Sequence, residues 1–156
     1  MKKEIMNLLI FVIIALLTVS GCSQQESSSK GGENSNKNSD GPKIAVVLKG
    51  SDQEYFKLAE QGAKQAFEDL EVNGTFLAAT TQTDTTQLLN ILEDLLIEKP
   101  DALVVMPSTE AQIPVLERYR KKGIPVLLID TDLDWDGKAT YIGTDNYTAG
   151  KEAAKH

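Results

Sequence analysis

The sequence predicts an α/β fold, a doubly wound parallel sheet, on three observations. Short apolar runs rich in β-branched residues alternate with amphipathic stretches from Lys43 onward. The runs are almost continuously apolar, as strands buried on both faces of a parallel sheet must be. Turn and capping chemistry separates the two kinds of segment, and strand–helix repetition of this sort builds a sheet with helices on both faces.

Each element has its own justification. "KIAVVLK" reads as the first strand. Phe56, Ala59, Ala63, Ala66, Phe67 and Leu70 recur at helical spacing, with Lys57, Glu60, Lys64 and Glu68 on other faces. "VNG" turns the chain into a second strand, "TFLAAT". Asp84 or Thr85 caps a second helix whose inner face carries Leu88, Leu92 and Leu95, and "EKP" ends it. "DALVVM" is the third strand. Thr109 caps a third helix, provided that Pro114 falls in its first turn, with Ile113, Leu116 and Tyr119 on one face. The basic run "RYRKKG" suits a helix C-terminus, where cations complement the dipole and Gly123 supplies a left-handed cap. "IPVLLI" and "ATYIG" are strands four and five, and "YTAGKEAAK" opens a helix that the chain end cuts short.

The amino-terminal region differs. Lys2 and Lys3 precede the apolar run "IMNLLIFVIIALL", and "VSGC" closes it. A basic start, a short apolar stretch and small residues before a cut site describe a secretory signal. The run is shorter than the ~20 apolar residues that span a bilayer, although a single membrane-spanning helix is the alternative. Cys22 is the chain's one cysteine, so no intramolecular disulfide can form. "VSGC" resembles the lipobox of bacterial lipoproteins, which implies that Cys22 is acylated and begins the mature chain; the alternative is a buried or free thiol. The stretch "SQQESSSKGGENSNKNSDGP" has no large apolar residue and reads as a flexible tether. The expected organisation is therefore a leader over 1–21, a lipidated cysteine and tether over 22–42, and one folded domain from Lys43. A net charge of -7, with no basic run interleaved with aromatics, argues against nucleic acid as partner. The single histidine, His156, leaves little for zinc sites or histidine bases.

In open parallel sheets the ligand crevice lies outside the carboxyl ends of the strands. Functional residues are therefore expected just after Lys49, Thr80, Met106, Ile129 and Ile142. Those segments read "GSDQEYF", "PSTE", "DTDLDWD" and "GTDN" after strands one, three, four and five. None is a glycine-rich phosphate cradle, and no Ser or Cys sits in a nucleophile elbow, so neither a cofactor nor an enzymatic activity is expected. Carboxylates, amides and flat rings suit a polyhydroxylated ligand, since carboxylates accept hydroxyl hydrogen bonds and rings cover a sugar's C–H face. Asp132, Asp134, Asp136 and Gly137 match the opening of a calcium loop, but its twelfth position, which needs a bidentate glutamate, is Gly143. No metal is expected there: the three aspartates read as solvated loop charges.

From Lys43 onward the order of these segments resembles the type I periplasmic binding proteins of the ribose-binding kind, the sugar receptors of ABC importers. The pieces that carry the resemblance are the aromatic pair "YF" after strand one, "KGIPVLLID" and "YIGTDNYTAG". It implies ligand contacts from Asp52, Gln53, Tyr55, Phe56, Asp130 and Thr131, the rings stacking and Asp130 gripping hydroxyls. Phe56 fits the core face of its helix equally well, Asp130 has a turn-capping alternative, and Trp135 is either a ring over the pocket mouth or a loop aromatic. Thr131 stands where the ribose binder has an arginine. The resemblance also implies a first lobe over 43–142 and, over 143–156, a hinge crossing (Gly143, Thr144, Asp145, Asn146) with the start of a second lobe. The partners implied are a sugar and a membrane permease, and the location is outside the cytoplasm, lipid-anchored. One lobe alone is expected to bind sugar weakly or not at all, and the helix from Tyr147 to fray. A sensor feeding a kinase or chemoreceptor would share this fold, as would the effector domain of lactose-repressor-type regulators, though no helix-turn-helix segment is present.

Overall fold

The computed structural model describes residues 41–155. The expected leader, Cys22 and most of the expected tether lie outside the described residues, as does His156. Five strands form one sheet: β1 (Lys43–Leu48), β2 (Asn73–Ala78), β3 (Ala102–Val105), β4 (Val126–Ile129) and β5 (Thr140–Ile142). Between them run α1 (Glu54–Asp69), α2 (Thr85–Glu98) and α3 (Ile113–Lys121), and α4 (Asn146–Ala153) follows β5. The strand order is β2-β1-β3-β4-β5, and every pairing is parallel. The order reverses direction between β1 and β3, which makes the carboxyl ends of those strands the switch point where open α/β sheets hold ligands.

The period-two alternation of the strands divides the core between the two faces. Ala45 and Val47 of β1, Leu103 and Val105 of β3, and Val126 and Leu128 of β4 face one way. They meet Leu88, Leu92, Leu95 and Leu96 of α2 and Val115, Leu116 and Tyr119 of α3. Tyr119 is fully buried and donates its hydroxyl to the Leu92 carbonyl at 2.6 Å, tying α3 to α2. Val46 and Leu48 face the other way, toward Phe56, Ala59, Ala63 and Phe67 of α1, with Met106 at the end of β3.

The caps follow the sequence closely. Asp84 accepts from the Gln87 amide at 2.9 Å at the start of α2. Thr109 and Gln112 form a reciprocal capping box on a single 3-10 turn (Glu110–Gln112) that leads into α3, with Pro114 in its first turn. Gly123 takes φ +77 after α3, and Lys99 takes φ 53 after α2.

Two expectations need correction. β2 begins at Asn73, so the turn is completed earlier, by Glu71 at φ 52. Ala66 and Leu70 do not pack against the sheet: Ala66 is exposed and Leu70 is 70% exposed. Phe67 fills the space over Gly74 of β2, where an added Cβ would sit 2.1 Å from the Phe67 ring. The helix then ends at Asp69, and Leu70 forms its cap outside the packed face.

Candidate functional site

β1 and β4 deliver their last residues to the same rim, with β3 between them. Lys49 follows β1 and Asp130 follows β4. Asp130 has φ 62, the left-handed region that a non-glycine residue occupies only under constraint. The constraint comes from β5: the Asp130 amide donates to the Ile142 carbonyl at 2.9 Å, and Tyr141 donates its hydroxyl to the Asp130 carbonyl at 3.0 Å. Gly143 leaves room for that hydroxyl, since a Cβ there would fall 1.9 Å from it.

Held in this way, the Asp130 carboxylate faces three donors. Tyr55 donates its hydroxyl to Oδ1 at 2.8 Å. Lys49 Nζ donates to Oδ2 at 3.1 Å, and the Thr131 hydroxyl donates to the same oxygen at 3.0 Å. Lys49 Nζ also donates to Thr131 Oγ1 at 2.8 Å, closing a ring of bonds. Burial pushes the Asp130 carboxyl up, but the bonds from Tyr55, Lys49 and Thr131 and the charge of Lys49 outweigh it, so it lies below its ordinary value. The same bond to Asp130, with burial second, pushes the Tyr55 phenol up.

The structure thus brings together Tyr55, Asp130 and Thr131 of the expected residues and adds Lys49. Tyr55 lies edge-on to Phe56, ring centroids 5.7 Å apart, and is 53% exposed. Phe56 is 3% exposed and packs with Leu48 and Met106, so of its two readings the core one describes its packing. Asp52 and Gln53 are exposed on the loop before α1. Gln53 caps that helix through its backbone, its carbonyl accepting from the Phe56 amide at 3.1 Å, with no side-chain cap bond. The loop is pinned by Ser51, whose hydroxyl donates to the Ala79 carbonyl at 3.1 Å.

The remaining strand-end segments have other duties. Gln112, 1% exposed, accepts at Oε1 from the Thr109 amide at 2.8 Å and the Ser108 amide at 3.2 Å, so "PSTE" is occupied by the capping box. After β4, Asp132 pairs with Lys138 at 2.8 Å, and Lys138 also donates to the Leu133 carbonyl at 2.7 Å. Trp135 is half-buried against the α2–α3 core and donates Nε1 to Glu117 at 3.2 Å, which places it as a packing aromatic turned toward α3. Glu117, bonded to Arg120 and Trp135, is lowered to about 2. Among the described residues, no group of three His, Cys, Asp or Glu is arranged to hold a metal. After β5, Gly143 and Thr144 are exposed, Asp145 caps α4 by accepting from the Thr148 amide at 2.9 Å, and Asn146 is the first residue of that helix. A cavity of about 380 Å³ opens at the opposite end of the strands, among Lys43, Asn73, Thr75, Glu98 and Pro100. It has no aromatic side chain in its lining.

Comparison with known proteins decides the family. A family model described as a periplasmic binding protein domain matches residues 44–156. The chain belongs to the periplasmic binding protein family. Members of this family are binding proteins, not enzymes. The D-ribose/D-allose-binding protein of Pseudomonas aeruginosa is 33% identical over 97 residues, 60% of this chain and 30% of that protein. Among solved structures, a carbohydrate transporter solute binding protein from Agrobacterium radiobacter, in complex with D-arabinose, superposes with a TM-score of 0.69 at 28% identity. That match covers 74% of this chain and 39% of the other. A solute binding protein from Actinobacillus succinogenes with bound D-allose gives 0.67 at 31% identity, covering 73% and 42%. The chain therefore spans well under half the length of these relatives, and the five-stranded parallel sheet is the counterpart of the first lobe of type I periplasmic binding proteins.

Proposed function

We propose that this chain is the amino-terminal, sugar-contacting part of the solute receptor of an ABC importer. The observation that carries the reading is the Asp130 carboxylate, fixed at the switch-point rim with the Tyr55 phenol 2.8 Å away and its ring half exposed. A carboxylate accepts hydroxyl hydrogen bonds in pairs, and a phenol ring beside it covers an apolar sugar face. Asp130, Thr131 and Tyr55 are the contact residues, with Asp52 and Gln53 on the adjoining loop available to a ligand entering over α1. Phe56 forms the floor. Relatives named for D-ribose and D-allose, or solved with D-arabinose or D-allose bound, support an uncharged monosaccharide as ligand.

In this reading residues 43–142 are the first of two lobes, and Gly143, Thr144, Asp145 and Asn146 carry the chain across the hinge. Residues 1–21 are a cleaved leader, Cys22 carries the lipid, and residues 22–42 tether the lobe outside the cytoplasm beside a membrane permease. Lipidation has its own test: radiolabelled palmitate should enter the wild-type chain in a bacterial host and be lost in Cys22→Ala. For the ligand, saturation-transfer NMR with D-ribose, D-allose and D-arabinose should show transfer to at least one sugar, and Asp130→Ala should abolish it. Transfer that survives Asp130→Ala would remove the rim from the account.

A further inference from the structure

The cavity at the amino-terminal end of the sheet has no residue in common with the rim, and its walls follow from strand register. Lys43 and Ala45 of β1 pair with Asn73 and Thr75 of β2, and the period-two alternation turns all four toward α2. Leu95 and Glu98, three residues apart on one face of α2, close the cavity from above, and Pro100 closes it where the helix has ended. Ala45 and Thr75 are small, so about 380 Å³ stays open beneath the last turn of α2. Clefts of ~300–1,000 Å³ with an apolar floor and a few polar groups are the usual form of a small-molecule site. We propose that this cavity is a second ligand site and that it takes a zwitterionic α-amino acid with an aliphatic side chain. The proposal is independent of the sugar-site reading.

The lining sets two opposite charges over an apolar floor. Ala45, Leu95 and Pro100 are buried and form that floor. The Lys43 ammonium belongs to the β1 wall and the Glu98 carboxylate to the α2 wall, and both residues are exposed. Among the described residues, neither side chain has a hydrogen-bond or ion-pair partner, and the same holds for the side chains of Asn73 and Thr75. α2 has no basic residue in its last turn, so its terminal carbonyls add partial negative charge on the Glu98 side. An ammonium is therefore favoured at Glu98 and a carboxylate at Lys43, with the Asn73 amide and the Thr75 hydroxyl free to bond either group. The other charges at this end leave the pattern intact. Asp101 is engaged, its Oδ2 accepting from the Lys43 amide at 2.8 Å, and Glu71 and Lys99 do not line the cavity. A ligand with one charge leaves the opposite lining charge unpaired, and a sugar finds no aromatic ring to cover its C–H face. An aliphatic amino acid pairs both charges and lays its side chain on the floor.

The test is an NMR shift titration of the nitrogen-15-labelled full chain with three probes: L-leucine, L-leucinamide, which lacks the carboxylate, and 4-methylpentanoate, which lacks the amine. At mildly acidic pH all three carry their charges. L-Leucine should shift the Lys43, Thr75 and Glu98 amides saturably while those of Lys49 and Asp130 stay in place. Each single-charge probe should bind about tenfold more weakly, for one lost charge-assisted hydrogen bond. Glu98→Gln should weaken L-leucine about tenfold and leave 4-methylpentanoate unchanged, and Lys43→Met should weaken L-leucine equally and leave L-leucinamide unchanged. Both positions are exposed, so the fold tolerates the changes, and a general loss of structure would weaken all three probes together rather than in this crossed pattern. No response of these amides to L-leucine, equal affinity for the three probes, or variants that weaken all probes alike overturns the proposal. D-Allose should leave the same amides unmoved, so failure at this cavity and failure at the rim are read separately.

Discussion

Asp130 joins a backbone constraint to an electrostatic role in one residue. A left-handed non-glycine residue costs on the order of 1–3 kcal/mol, and such strain persists where surrounding structure fixes it. Here the fixing groups are the Ile142 carbonyl and the Tyr141 hydroxyl. The carboxyl itself lies below its ordinary value because the bonds from Tyr55, Lys49 and Thr131 overcome burial. For a carboxylate depressed in the folded state, the stabilisation is complete above the unfolded value of about 3.9 and is lost as pH falls through the folded value. Carbon-13 NMR titration of the Asp130 side chain should therefore place its midpoint below that of an unfolded aspartate. Tyr55→Phe and Lys49→Met should each move it upward, and in both variants the loss of stability on acidification should be shallower. The site was only partly legible at this scale. Asp130 directly follows β4 and Tyr55 lies in the first turn of α1, just past the loop after β1, where a sheet of this class concentrates function. Lys49 also stands at a strand end, but a lysine after an apolar run reads as the point where a strand meets water. Only the order β2-β1-β3-β4-β5 brings it within 3.1 Å of Asp130, and strand order is not written in local pattern.

At the scale of elements, two glycines separate backbone freedom from packing space. Gly123 has φ +77 and open space where a Cβ would stand, with no atom within 4 Å, so Gly123→Ala should cost about 1 kcal/mol through backbone strain alone. Gly74 has no such φ, but its Cβ would meet the Phe67 ring, so Gly74→Ala should cost about 1–3 kcal/mol by overpacking. Urea unfolding of both variants measures the difference, and Phe67→Leu combined with Gly74→Ala should recover part of the second loss. The elements themselves were legible because leucine spacing and capping residues agree along α2 and α3. The inner face of α1 was overcounted because periodicity extends to Leu70 while the sheet beneath it does not. The Trp135 alternatives were open for the same reason: sequence shows an aromatic in a loop, and only the fold shows Glu117 beside it.

For the whole molecule, the two faces of the sheet are unequally covered. Among the described residues, α2 and α3 pack on one face and α1 alone on the other, where Val104 and Ile129 are only partly buried and Ile142 is 62% exposed. α4 buries no residue, and its Tyr147 is 83% exposed. Helices this short are marginal without tertiary packing. Hydrogen exchange should therefore find the α4 amides the fastest among the helices, with α2 and the β1–β3 pair the slowest. Equal protection of α4 and α2 would show that α4 has a packing partner.

On this reading one rim, at the carboxyl ends of β1 and β4, receives a hydroxyl-rich ligand. Amide-detected NMR of the nitrogen-15-labelled chain, titrated with D-allose to millimolar concentration, tests it most directly. Weak, saturable shifts centred on Lys49, Tyr55, Asp130 and Thr131 are expected, with affinity poorer than micromolar because the contacts come from one lobe. Shifts centred instead on Lys43, Asn73 and Glu98 at the opposite end of the sheet, or none at the rim, would contradict it.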